Sequence, residues 1–108
     1  MREDELKQAF RKRAGYWVSR LNVGAHSVNV RPMRNKWASC STTGRLTFNS
    51  ELLEFETELW DYVIVHELLH FFVPNHGRLW KSLMTAYLGD YPQLEARLRA
   101  KASQVIVP

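Results

Sequence analysis

The spacing of apolar residues changes along the chain from a helical to a strand-like period. Between residues 3 and 21 the apolar side chains recur at intervals of three or four, which predicts an amphipathic helix whose middle is weakened by Gly15. Residues 27–31 read Ser-Val-Asn-Val-Arg, and this alternation predicts a strand that ends at Pro32. The first third of the chain is therefore expected to form one helix and one strand.

Two further short segments of strand-like composition flank a tight turn. Residues 37–41 and 45–49 lie on either side of Gly44, and this arrangement predicts an antiparallel hairpin. Asn49 or Ser50 can then cap a short helical turn, because their side chains accept hydrogen bonds from free backbone N–H groups. We expect these strands to form a short antiparallel sheet.

The second half of the chain is expected to be helical. Residues 58–73 are apolar on nearly every side of a helix, which is typical of a buried helix. Residues 77–88 predict another helix, closed by Gly89, and the sequence Asp-Tyr-Pro at 90–92 can begin the last one, since proline suits a first helical turn. The predicted fold class is α+β, with the short antiparallel sheet packed against the buried helix and further helices flanking them.

Length and composition indicate one folded domain over residues 1–108. With 45% hydrophobic residues and four tryptophans, the chain can bury a single modest core. Its first fifteen residues are mostly charged and carry no apolar signal segment, and no run approaches the ~18 apolar residues of a membrane-spanning helix. Cys40, the only cysteine, cannot form an internal disulfide. We therefore expect a cytoplasmic protein without a membrane partner, in an oligomeric state that the sequence leaves open.

The chain is moderately basic, with a net charge of +4 and an isoelectric point near 9.5. Basic proteins gain affinity for nucleic acids without reading the base sequence. Here the excess is small, and acidic residues between positions 51 and 61 interrupt it. Solvated surface charge is the simpler interpretation, and a nucleic-acid partner is the alternative.

The predicted buried helix carries the motif His66-Glu67-Leu-Leu-His70, and His76 follows six residues later. Two histidines four residues apart lie one turn apart on the same side of a helix, so both rings can reach one ion. Glu67 lies just off that line, where it can contact a water on the ion. Three histidines suit one Zn²⁺, although other divalent transition metals accept the same donors. The sequence thus predicts His66, His70 and His76 as metal ligands, with Glu95 as the alternative to His76.

The third histidine can reach the ion only if the helix stops before it. On a continuous helix His76 would lie about 9 Å beyond His70 and on another face. Pro74 is predicted to supply the break, because it lacks an N–H and disfavours helical backbone at Val73. Asn75 tolerates left-handed backbone and is predicted to turn His76 back toward the ion.

Such a site would catalyse hydrolysis. Zinc lowers the pKa of a bound water toward ~7 and polarises a substrate carbonyl. Glu67 would take the proton of that water and return it to the leaving amine. The sequence does not identify the group that stabilises the oxyanion; Tyr87, Tyr91 and Arg78 are candidates, and a structural role is the alternative for each.

Several motifs occur together in the order that one family shows. They are Trp37-Ala-Ser-Cys-Ser, Leu46-Thr-Phe-Asn, Asp61-Tyr-Val-Ile-Val-His-Glu-Leu-Leu-His and Asn75-His-Gly-Arg-Leu-Trp. Because it contains these motifs in this order, the chain from about residue 28 to residue 98 resembles the YgjP-like metallopeptidase domain, a zincin-type family related to the SprT-like proteins. The family has glycine where this chain has Ala38, and phenylalanine where it has Leu79.

The resemblance implies a small α+β zincin fold in which His66, His70 and His76 bind the metal and Glu67 is the catalytic glutamate. In zincins generally, an edge strand beside the active-site helix binds an extended peptide by strand addition. Residues 37–41 are the candidate for that strand here. The alternative is a strand whose side chains only pack in the core.

Three functions fit the sequence. The leading hypothesis is a zinc-dependent metallopeptidase that hydrolyses bonds in peptides or proteins. The same site would also serve a metal-dependent hydrolase of other amides or esters. The alternative outside the enzymes is a metal-stabilised binding module associated with DNA or a DNA-bound protein, which the basic groups and the kinship with SprT-like proteins motivate.

Overall fold

A computed structural model describes residues 2–25, 27–41 and 43–105, with side chains as far as residue 101; Thr42 of the predicted turn and residues 106–108 lie outside them. In this part of the chain the structure has four α-helices, a three-stranded sheet and a 3-10 helix. In chain order the elements are α1 (Glu3–Leu21), β1 (Ser27–Arg31), β2 (Ala38–Cys40), β3 (Arg45–Asn49), the 3-10 helix (Ser50–Glu54), α2 (Thr57–Leu69), α3 (Arg78–Leu88) and α4 (Tyr91–Val105).

The α+β class is confirmed, but the sheet is mixed and not wholly antiparallel. β3 lies at its centre, between β1 and β2. β2 and β3 form the predicted antiparallel hairpin, whereas β1 runs parallel to β3, with Asn29 opposite Thr47. The chain reverses direction once between β1 and β2 and again before β3, so β3 returns to the direction of β1. Because β1 pairs with β3 in parallel, the prediction of a purely antiparallel sheet was wrong.

The core forms where α2 packs against α1, α3, α4 and the sheet. Eight of the thirteen residues of α2 are buried, as its apolar pattern predicts. The ring of Phe10 from α1 lies 5.0 Å from that of Phe48 in β3 and 5.2 Å from that of Trp60 in α2, between ring centroids. Among the described residues, no helix is both long enough and apolar enough to cross a membrane.

One carboxylate joins α1 to α2. Asp61 accepts two hydrogen bonds from the guanidinium group of Arg13, at 2.6 and 2.9 Å, and a third from the indole N–H of Trp17, at 2.8 Å. A bidentate arginine pair of this kind fixes orientation as well as distance. It holds the middle of α1 against the first half of α2, the helix that carries the histidine motif.

Asn49 ties the loop before β2 to the core. Its side chain is fully buried, and its oxygen accepts from the backbone N–H of Glu51 at 3.0 Å, which caps the 3-10 helix as the sequence predicts. Its amide nitrogen donates to the carbonyl oxygens of Met33, at 3.2 Å, and Lys36, at 3.0 Å. These bonds hold the backbone immediately before Trp37 and β2, at the edge of the candidate site.

Candidate active site

The helix α2 ends earlier than the apolar pattern indicates. Its last helical residue is Leu69, four residues before the predicted boundary at Val73. The N–H groups of residues 70, 71 and 72 bond to carbonyls three residues back, at 3.2, 3.0 and 2.9 Å, so the last turn tightens into 3-10 geometry. The predicted boundary at Val73 was therefore wrong. The last backbone bond of this turn, from the N–H of Val73 to the carbonyl of Leu69 at 2.8 Å, comes directly before Pro74, which has no N–H to continue the series.

The turn around His76 is built differently from the prediction. Of the described non-glycine residues, Asn22 and Asn35 are the ones with positive φ, so Asn75 is not left-handed. Its side-chain oxygen accepts instead from the backbone N–H of Gly77 at 2.9 Å and closes a turn with His76 at its centre. A Cβ atom at position 77 would lie 2.7 Å from that oxygen, so any other residue there would force the Asn75 side chain to move.

These local features bring the three predicted histidines together. His66, His70 and His76 each offer one ring nitrogen, and these atoms all lie within 4.8 Å of one another. The Nε2 atoms of His70 and His76 are 3.0 Å apart. Two imidazole nitrogens at this distance either share a proton or face one ion. The spacing of the motif and the turn at His76 thus produce a compact set of three nitrogen donors.

Two groups orient the rings. The Nδ1 of His70 lies 3.1 Å from the carbonyl oxygen of Val73, and since a carbonyl only accepts, Nδ1 carries the proton and Nε2 has its lone pair free. Trp80, buried in the first turn of α3, packs its ring 5.1 Å from that of His66 and 4.6 Å from that of His76. The sequence did not reveal either role, although Trp80 lies four residues after His76, a spacing that can bring two side chains together.

Burial shifts the pKa values of His66 and Glu67 in opposite directions. Burial, followed by electrostatic interactions with His76 and His70, lowers the pKa of His66 to about 4, so its ring is neutral at neutral pH. Burial also raises the pKa of Glu67, while the nearby His70 and Lys36 oppose that rise. A neutral imidazole is the form that binds a metal. Three imidazole donors, one of them oriented by a carbonyl, fit a divalent transition metal.

A cavity of about 350 Å³ opens beside Glu67. Its lining combines residues of α2, α4 and the segment that leads into β2: Lys36, Trp37, Ala38, Tyr62, Val63, His66, Glu67, Glu95, Leu98 and Arg99. β2 is an edge strand, bonded to β3 on one side, as expected for the candidate peptide-binding strand. Trp37 also packs on Phe55, with the ring centroids 5.5 Å apart, so it contributes to packing and to the cavity at once.

The alternative ligand Glu95 is engaged in a different contact. Tyr62 donates its hydroxyl hydrogen to Glu95 at 3.0 Å, and Arg99 lies 3.6 Å from the other carboxylate oxygen. Burial and the charge of Glu95 raise the pKa of Tyr62. Glu95 thus lines the cavity, while the convergent donor group consists of the three histidines.

The three candidates for oxyanion stabilisation lie outside this cavity lining. Tyr87 packs on Trp17 of α1, with the ring centroids 6.1 Å apart, and Tyr91 packs on Trp80 at 5.7 Å. Arg78 lines a separate depression on α3. The cavity lining itself contains the cationic side chains of Lys36 and Arg99. The sequence could not select these two, because they come from a loop and from α4.

The amino-acid sequence of the chain is similar to those of known proteins. The family model of the YgjP-like metallopeptidase domain matches residues 1–101. An uncharacterised protein of Methanocaldococcus jannaschii is 36% identical over 72 residues, and this match covers 62% of the present chain and 66%, just under two thirds, of that protein.

Two solved structures share the fold. The crystal structure of the metallopeptidase zymogen of Methanocaldococcus jannaschii jannalysin superimposes with a TM-score of 0.76 and 27% identity, over 85% of this chain and 95% of that chain. The metallopeptidase zymogen of Pyrococcus abyssi abylysin, at 22% identity, gives a TM-score of 0.62 over 98% and 100% of the two chains, and this likeness shows the fold alone. With the family model covering nearly all of its length, the chain belongs to the YgjP-like metallopeptidase family.

Proposed function

We propose that the protein is a zinc-dependent metallopeptidase, in which His66, His70 and His76 bind one zinc ion and Glu67 is the general base. The observation that carries this proposal is the convergence of three ring nitrogens within 4.8 Å beside a half-buried glutamate. Membership of a metallopeptidase family supports it. The likeness to the jannalysin zymogen supports it as well.

The residues of the site would divide the reaction between them. Zinc, when bound, supplies a Lewis acid that activates water and polarises the scissile carbonyl. The carboxylate of Glu67 accepts a proton from the attacking water and returns it to the amide nitrogen as the C–N bond breaks. The raised pKa of Glu67 favours both transfers, because a base works best when its pKa approaches the working pH.

A peptide or protein substrate suits the surroundings of the site. β2 is bonded to β3 along one side only, so an extended peptide can add to its other side as a further strand. The cavity beside Glu67 would then accept a substrate side chain, and its lining includes Trp37, Val63 and Leu98. Hydrolysis of other amides or esters and a binding module without turnover receive no comparable support.

We propose a cytoplasmic location for this peptidase. Cys40 is the only cysteine in the sequence and is free in the structure, where its thiol donates to the carbonyl of Ser41 at 3.3 Å. Burial raises the pKa of Cys40, so the thiol is kept protonated and unreactive. A lone, unreactive thiol is compatible with a reducing compartment.

The test is the substitution Glu67→Gln in zinc-loaded protein incubated with a fluorescently labelled unfolded protein. Cleavage is expected to slow at least ~100-fold, because a general base contributes about 10²–10⁴ to the rate, while one zinc per chain is retained. Glu95→Gln, which changes the other glutamate of the cavity, is the matched control and should keep most of the activity. Cleavage by Glu67→Gln at the original rate would contradict the assignment. Turnover of small esters but never of peptides would favour the other hydrolase class.

A further inference from the structure

The face of the sheet that points away from the core carries arginines that the proposed peptidase site does not use. Side chains alternate along a strand, and Val30 of β1 is buried, so Asn29 and Arg31 point outward. Arg45 and Thr47 of β3 lie on the same outer face. The register places Asn29 beside Thr47 in the parallel pair.

A third arginine joins them from α1. Arg11, Arg31 and Arg45 line one cavity of about 350 Å³ together with Asn29, Val30 and Thr47. This lining contains three guanidinium groups and no carboxylate. We call these three residues the arginine cluster.

The arginine cluster lacks neutralising partners in the part of the chain that the structure describes. Carboxylates within 4.0 Å pair with four other arginines, namely Arg2, Arg13, Arg97 and Arg99. Among the residues that the structure describes, no such pair involves a member of the arginine cluster. Like charges around one depression repel each other, so a bound anion would lower the electrostatic energy of this surface.

We propose that the arginine cluster binds the phosphate groups of a nucleic-acid backbone without reading the base sequence. Guanidinium groups bind phosphate oxygens through paired N–H donors, and the side chains of Asn29 and Thr47 add neutral donors. The lining has no aromatic side chain and so offers no platform on which unpaired bases could stack. A duplex, whose phosphates face outward, is therefore the form that this surface suits.

This surface is distinct from the proposed peptidase site. β1 and β2 are the two edges of the sheet, and β3 separates them. Ala38 of β2 lines the cavity beside Glu67, whereas β1 and the outer face of β3 carry two members of the arginine cluster. Nucleic-acid binding is thus expected to persist in Glu67→Gln, which separates a failure of this inference from a failure of the proposed function.

The experiment measures binding of a fluorescently labelled 12-base-pair duplex by anisotropy at several salt concentrations. Three phosphate contacts predict a slope of about −2.7 for log K against log salt, since each contributes about −0.9. The double variant R31A/R45A is expected to reduce this slope to about −0.9 and to weaken binding at low salt at least ~10-fold. The matched control K12A/K81A removes two exposed positive charges that do not line this cavity and should leave the slope unchanged.

Two further arms make the outcome decisive. R11A alters α1 and leaves the sheet intact; it should reduce the slope by about 0.9 even if the double variant does not fold. In ¹⁵N-labelled protein, the duplex should shift backbone amide signals of β1 and β3. The inference is overturned if the duplex does not bind, if K12A/K81A weakens binding as much as R31A/R45A, or if inorganic phosphate at equal phosphate concentration shifts the same signals equally.

Discussion

His66 is half-buried, and the proposed function requires its ring to present a lone pair to a metal ion. Burial and the neighbouring imidazoles lower its pKa to about 4. The ring is therefore unprotonated throughout the neutral range, and no proton has to leave before its nitrogen can bind a metal. The chemistry of this residue thus depends on the core that surrounds α2.

The lowered pKa of His66 makes the stability of the metal-free protein depend on pH. Between about pH 6.5 and pH 4 the unfolded chain takes up a proton at this residue and the folded chain does not. The free energy of unfolding should therefore fall as the pH decreases through this range, by about 3 kcal/mol at pH 4 relative to pH 7. Urea denaturation of chelator-treated protein at both pH values measures it.

Other acidic groups of the chain also bind protons between pH 7 and pH 4. The contribution of His66 to the loss of stability therefore has to be isolated with a variant of that residue. His66→Gln removes the ionisation and should lose less stability between pH 7 and pH 4 than the unsubstituted protein. An identical loss in both proteins would show that His66 is not the group responsible.

At the scale of single residues, the sequence was sufficient to select the histidines and Glu67 as candidates, because helical geometry relates positions four apart. It did not reveal the carbonyl of Val73 that orients His70, since that contact depends on where α2 ends. The packing of Trp80 on two of the rings depends in turn on how α3 lies against α2.

In the short connection between α2 and α3, the side chain of Asn75 accepts a hydrogen bond from Gly77 and closes the turn that carries His76. Gly77→Ala would place a Cβ atom 2.7 Å from the side-chain oxygen of Asn75 and force that side chain to move. Zinc affinity is expected to fall about 10-fold, comparable to the loss of a group that supports a ligand. A competition titration with a chromogenic chelator measures the change.

Gly15→Ala is the matched control for this substitution. Gly15 lies in α1 with no atom within 4 Å of the added Cβ, so zinc affinity should not change, and stability should rise by about 1 kcal/mol. Equal zinc affinity in both variants would argue against the role of the turn.

Asn49 connects the sheet to the loop that borders the site. Asn49→Ala would leave the carbonyls of Met33 and Lys36 and the N–H of Glu51 without their side-chain partner. Stability is expected to fall by about 2–4 kcal/mol, because unsatisfied buried groups cost about 1–3 kcal/mol each. Chemical denaturation measures this, with the exposed Asn29→Ala as the control, expected to change stability by about 0.5 kcal/mol or less. Similar losses in the two variants would contradict this account of Asn49.

At the scale of elements, periodicity predicted the helices and strands well, and it failed at two specific points. The end of α2 was placed at Val73, because the apolar pattern continues past Leu69 although the hydrogen bonds have already changed to 3-10 spacing. The parallel pairing of β1 with β3 was missed, because the alternation of side chains in a strand carries no information about which strand becomes its neighbour.

The two candidate sites of the molecule lie at different parts of one small sheet. The histidine site and its cavity lie where α2 and α4 meet the segment entering β2, and the arginine cluster lies on the outer face of β1 and β3 with α1. The sequence predicted the fold class and the first of these sites. The second depends on three arginines separated by up to 34 positions, which only the folded chain brings together.

The central claim is that three histidines, and not two histidines with Glu95, bind the metal. The most direct measurement is the zinc affinity of metal-free protein by calorimetric titration, for the unsubstituted chain, His76→Ala and Glu95→Gln. We predict one zinc per chain, a loss of more than ~100-fold in affinity for His76→Ala, since even supporting groups cost 10–100-fold, and little change for Glu95→Gln. Unchanged affinity in His76→Ala together with a large loss in Glu95→Gln would contradict the three-histidine site.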